Sequence, residues 1–189
     1  MNFGLVSLLG ALVMAVVSDL YARKVPNLLV LGGILAALAI HAMAAPGAGI
    51  LEASGGAIGL LSSLGGIAVG FAALVPQYAL RAMGAGDVKL MMMVGAFLGP
   101  LQTLGVVVLT FVAGGVLAIG MALWQRSFKQ LALNLHVMLT TSAVHAATGA
   151  SPKFEPLQQT AGRMPYAVAI AAGTLLQLYL VRSGGWALS

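Results

Sequence analysis

Polar positions along this chain are confined to short intervals between long apolar stretches at about residues 2–18, 28–45, 56–79, 88–98, 103–124 and 164–181. A helix that crosses the hydrocarbon core of a bilayer needs about 20 residues, with some leeway, and most of these stretches are long enough. The fourth is short, yet the apolar character is nearly continuous from 88 to 124. At about 1.5 Å per residue, one helix of that length would far exceed the thickness of a bilayer. Gly99-Pro100 therefore predicts a tight hairpin, because proline disfavours helix in the residue before it and lacks an N–H donor. The pattern predicts an all-α, polytopic membrane protein with six transmembrane helices.

Composition agrees with that class. With 60% hydrophobic and 7% charged residues among 189 and a mean hydropathy of +1.03, too little polar surface remains for a soluble globule. The first stretch has no basic segment before it, and its positive charges follow it, so it reads as a retained helix starting outside rather than as a signal peptide. Arg23 and Lys24 lie between stretches one and two, Arg81 and Lys89 flank three and four, and Arg126, Lys129, Lys153 and Arg163 separate five and six. Only Arg182 falls on the opposite side. Eight basic residues against one of the nine is a positive-inside signal that predicts these loops to be cytoplasmic and both termini outside.

Residues 125–163 are too polar to span and too long for a plain turn. Within them Phe128, Leu131, Leu135, Met138 and Leu139 recur at helical spacing, with Lys129, Gln130, Asn134 and Thr141 elsewhere. This predicts one cytoplasmic interfacial amphipathic helix, running into an irregular connector around Pro152 and Pro156. The chain 1–189 thus reads as a single membrane-embedded domain carrying this connector between spans five and six. In the third stretch Gly59, Ser63, Gly66 and Gly70 form a small-residue ridge of the kind that lets helices approach closely in lipid, most simply within one molecule.

The candidate chemistry is narrow. Without cysteine there is no thiolate nucleophile, disulfide or cysteine-held metal. His41, His136 and His145 are too scattered for a metal site, and nothing points to a cofactor or to nucleic acid. Of the four acids, Glu52 and Glu155 read as solvated loop charges, whereas Asp19 and Asp87, the only aspartates, stand where apolar stretches meet basic loops. Alone, Asp19 could be an interfacial carboxylate on the same helical face as Arg23, and Asp87 could cap the helix that follows it. A carboxylate near lipid is costly, by roughly 2.5–3.5 kcal/mol at a helix centre, and tends to face a protein interior or a wet cavity. Two on one membrane side suggest a pair. Like charges close together cannot both ionise easily, so one carboxylate can take a proton from water while its protonated partner serves the peptide carbonyl and leaving amine. That is aspartyl protease chemistry.

Gly84-Ala85-Gly86-Asp87-Val88-Lys89-Leu90, followed by Gly95-Ala96-Phe97-Leu98-Gly99, resembles the GxGD signature and trailing helix of the type IV prepilin peptidases. Asp19, followed after six residues by Pro26-Asn27 with a basic loop between, resembles the first motif of that family. The start of the last stretch, Met164-Pro165-Tyr166, is similar to its final helix, more weakly. The resemblance implies a bacterial inner-membrane aspartyl endopeptidase that removes the short basic leader of prepilins or pseudopilins on the cytoplasmic side, with membrane lipids as its surroundings. It implies Asp19 and Asp87 as the catalytic pair, and Gly84 and Gly86 as glycines that let the second loop approach substrate. Arg23 and Lys89 become candidates for tuning the carboxylates or holding lipid phosphates. The lack of cysteine fits a short, peptidase-only form without the zinc-binding domain that accompanies N-methylation in many members. Oligomeric state, the particular pilin and the order of the two aspartates are not legible. Two other classes remain open: a small proton- or cation-coupled transporter, and a non-catalytic assembly protein of the same fold.

Overall fold

The computed structural model describes residues 3–45, 47, 49, 56–80, 83–124 and 166–184. Among them run six helices: α1 (Phe3–Ala22), α2 (Asn27–Met43), α3 (Leu60–Ala79), α4 (Ala85–Leu98), α5 (Pro100–Trp124) and α6 (Tyr166–Arg182). The described residues contain no strand, only one isolated bridge in which Ala57 N–H donates to Ala45 O (2.8 Å) and Gly47 N–H donates to Ala57 O (3.0 Å). The amphipathic helix expected within 125–163 lies outside the described residues.

Three helices are long and apolar enough to cross a membrane: α1, α3 and the Pro100–Met121 part of α5. Helices α2 and α6 are apolar but shorter, at 17 residues each. Helix α4, at 14 residues, is explained by where it sits. It packs against every one of the other five helices, and Leu90, Met91, Met93, Val94, Ala96 and Phe97 are all fully buried. A helix that is apolar all round is buried either in protein or in lipid, and the burial of these side chains among the other helices decides for protein. The continuous apolar run that obscured the sequence pattern at 88–98 is therefore the centre of the bundle.

The register of the helices follows from close contacts. On α3, Gly66 faces Gly95 of α4 so tightly that a Cβ on either would overlap the other's carbonyl oxygen, and a Cβ on Gly70 would stand 2.8 Å from Met91 O. Ser63 Oγ donates to Ala96 O at 2.6 Å. These residues are the predicted small-residue ridge, without Gly59. That glycine precedes α3 with φ 85°, and a Cβ on it would meet nothing. Helix α4 runs antiparallel to α3 and parallel to α2, where Gly33 abuts Met93 and His41 Nε2 lies 3.3 Å from Phe97 O.

The expected hairpin is present. Gly99 takes φ 81° and its N–H donates to Gly95 O at 2.9 Å, after which Pro100 opens α5. Positive φ is the conformation for which glycine is suited, and proline at a first helical position forfeits no bond. Helices α5 and α6 lie antiparallel, with Gly173 against Thr110, Gly105 against Gln177, and Gln177 Nε2 donating to Gln102 Oε1 at 2.7 Å. Together these pairings bring Asn27, Asp87 and Tyr166 to one end of the bundle and His41, Phe97 and Gln177 to the other.

Candidate functional site

Asp19 lies in the last turn of α1, only 8% exposed. The negative end of a helix dipole opposes a carboxylate there, so the group needs a partner from elsewhere. Helix α6 supplies it: Ala167 N–H, in the first turn, donates to Asp19 Oδ2 at 3.1 Å. An unpaired N–H at a helix start and a dipole of the opposite sign together make an anion site. The bond ties two segments 148 residues apart.

Asp87 is the third residue of α4, half-buried, with Oδ2 accepting from Gly84 N–H at 3.1 Å. Because Gly84 has no side chain, only this half of a reciprocal cap exists. The helix-capping reading of Asp87 thus describes its local geometry. It leaves the carboxylate at the same end of the bundle as Asp19.

The connector after α1 completes the surroundings. Arg23 N–H donates to Asp19 O at 2.9 Å and Ser18 Oγ to Lys24 O at 2.8 Å, while Arg23 adopts φ 52°. The chain therefore leaves the helix at Ala22, and Arg23 does not continue the helical face that carries Asp19. The following residue pair folds onto α4, with Val25 beside Gly86. A Cβ on Gly86 would sit 3.5 Å from Val25 Cβ. Lys89 Nζ donates to Asn27 Oδ1 at 3.0 Å. Lys89 thus joins the Pro26-Asn27 segment to the GxGD segment.

The glycines of this loop act through space rather than through unusual backbone angles. Gly84 has φ −81°, Gly86 is helical, and neither is among the positive-φ glycines. A Cβ at 84 would stand 3.4 Å from Asp87 Oδ2 and one at 86 3.5 Å from Val25 Cβ, both ordinary contacts, so only a side chain larger than a methyl group would press on these neighbours.

Two contributors were not singled out by sequence reasoning. Ala167 takes part only through its backbone, which no residue type announces. Tyr166 begins α6 half-buried, its phenol within electrostatic reach of Asp87 and its ring against Gly114 of α5. The signal for it was the Met164-Pro165-Tyr166 start of the last apolar stretch, whose weak family likeness assigned the tyrosine no role.

The structure thus gathers Asp19, Asp87, Gly84, Gly86 and Lys89 at one end of the bundle, with Arg23 on the adjoining turn. A family model described as the type IV leader peptidase family matches residues 6–119, a span that contains both aspartates and ends within α5. No curated protein and no solved structure matches the chain.

Proposed function

The chain belongs to the type IV leader peptidase family, a family of aspartic peptidases, and on that premise we propose that it is a membrane aspartyl endopeptidase that removes the short basic leader from prepilin-like substrates. Asp19 and Asp87 are its catalytic pair, and its products feed pilus or pseudopilus assembly. The observation that carries the reading is the convergence of the two aspartates. They are the only acids among the described residues, they come from different helices, and both stand at the same end of the bundle.

In the proposed reaction the ionised carboxylate takes a proton from water as the water oxygen bonds to the scissile carbonyl carbon, and the protonated carboxyl gives its proton to the carbonyl oxygen. Collapse of the tetrahedral diol returns one proton to the second carboxylate, breaks the C–N bond and passes the first proton to the leaving amine. Atoms and protons balance without a cofactor. Ala167 N–H and Gly84 N–H hold one oxygen of each carboxylate, which fixes the orientation of both acids.

The proposed topology has six spans, with α4 enclosed by the other five, both termini outside and the aspartates at the cytoplasmic face of a bacterial inner membrane. Supporting it, the connectors after α1, α3 and α5 all leave from the aspartate end, and these connectors carry seven of the nine basic residues, with Lys89 in the first turns of α4 at the same end.

Co-expression with a candidate prepilin tests the reading through the mobility shift of the processed pilin. Processing by the wild type and its loss in Asp19→Asn and Asp87→Asn, with both variants inserted normally, is the expected result. A transporter or an inert assembly protein would leave the pilin unprocessed throughout.

A further inference from the structure

Helix α6 lies beyond the residues matched to the family, yet its first turn is built into the site. Ala167 N–H holds Asp19 at 3.1 Å, so the position of Tyr166 relative to the carboxylates is set by a direct backbone link. From that anchor the Tyr166 ring lies across α5 at Gly114. A Cβ on Gly114 would stand 3.4 Å from both Cε2 and the hydroxyl oxygen of Tyr166. Gly114 is buried and Tyr166 half-buried, so the missing side chain makes the slot in which the ring rests. The phenol is within electrostatic reach of Asp87, and among the described residues its hydroxyl has no hydrogen-bond partner. A phenol at the carboxylate end of the bundle, oriented by packing and with no hydroxyl partner among the described residues, is a donor available to the site.

We infer that Tyr166 is a third functional group of the paired-carboxylate site, its hydroxyl donating a hydrogen bond to the scissile carbonyl oxygen of the bound peptide as that oxygen gains negative charge. The inference rests on the aspartyl peptidase reading and deepens it. Tyr166 keeps its proton throughout, while the C–O bond forms, the carbonyl electron pair moves onto oxygen, and the proton that finally neutralises that oxygen comes from the carboxyl partner. Gly114 gives the ring its place. The phenol thus supplies a neutral donor where charge appears, in a site whose other two side-chain groups are acids.

The test is cleavage of a prepilin peptide by purified full-length wild type, Tyr166→Phe and Gly114→Leu, with kcat, KM and the detergent unfolding midpoint measured for each. Tyr166→Phe removes only the hydroxyl. We expect its kcat to fall by about 10²-fold, as for the loss of a single oxyanion donor, with KM and unfolding midpoint close to wild type. Gly114→Leu, which fills the ring's slot while leaving the hydroxyl in the chain, also lowers kcat. An active wild type with Tyr166→Phe at the same kcat overturns the inference alone. A higher KM at unchanged kcat, or an activity loss no larger than the loss of folded protein, overturns it as well. An inactive wild type removes the peptidase reading and this inference together.

Discussion

Adjacent glycines on α3 offer a stringent test of how the bundle holds the Asp87 helix. Gly66 and Gly65 differ by one position, but a Cβ on Gly66 would overlap Gly95 O and stand 2.7 Å from Gly95 C and 3.0 Å from Gly99 C. All three are backbone atoms of the α4–α5 hairpin and cannot swing aside. Carbon atoms in contact sit about 3.5–4.0 Å apart, so Gly66→Ala forces α3 and α4 apart by about 0.5–1 Å. Overpacking of this kind costs about 1–3 kcal/mol. The Ser63–Ala96 bond on the same ridge, at 2.6 Å, stretches with it, adding about 0.5–1.5 kcal/mol. The helical preference of alanine over glycine returns only about 0.5–1 kcal/mol. The net effect is a destabilisation of roughly 1–3 kcal/mol. Gly65→Ala meets only Pro100 Cγ at 3.6 Å, an ordinary contact, so it keeps the helical gain and should be neutral or slightly stabilising. Unfolding both variants in mixed micelles with increasing denaturing detergent measures the difference. Equal stability of the two variants would refute the packing argument and the register of α3 on α4.

Other expectations concern the site. Asp19→Asn keeps an acceptor for Ala167 N–H, so it should unfold within about 1 kcal/mol of wild type while losing at least about 10²-fold in cleavage. Asp19→Ala strands that N–H and should cost about 1–3 kcal/mol as well, measured by cleavage and unfolding on the same preparations. Lys89→Met and Asn27→Ala should each slow cleavage, and the double variant should be no slower than the worse single one, because both remove one 3.0 Å bond. Multiplying losses in a rate assay would dismiss that link. Gly86→Val should slow cleavage by displacing Val25, whereas Gly10→Val, which meets nothing within 4 Å, should not.

Much of this arrangement is written in local features. The ends of α2, α4 and α5 lie within a few residues of the apolar boundaries, because proline and glycine punctuate backbones in ways that depend little on what packs nearby. Gly99-Pro100 is the clearest case. The two aspartates stood out for the same kind of reason, as rare charges between apolar segments and basic turns. What escaped was tertiary. That α4 is enclosed on all sides is a property of five neighbours, and its residues 88–98 look the same whether they face lipid or protein. Arg23 sits four positions after Asp19 and would share its face only if the helix continued, but the chain turns at φ 52°. Gly86 packs beside Val25 of the connector, which its place in the motif does not announce, and Lys89 serves Asn27 across 62 residues. None of these pairings has a local signature.

The central claim is that Asp19 and Asp87 act as one acid–base unit on a peptide bond, and the most direct test is the cleavage rate of a prepilin leader by purified wild type, Asp19→Asn, Asp87→Asn and the double variant. Groups that act as a unit are non-additive, so removing either should cost nearly as much as removing both. The account predicts that each single variant falls at least about 10²-fold to a common residual rate, which the double variant shares. Near-normal cleavage by either single variant, or single losses that multiply in the double, would contradict it.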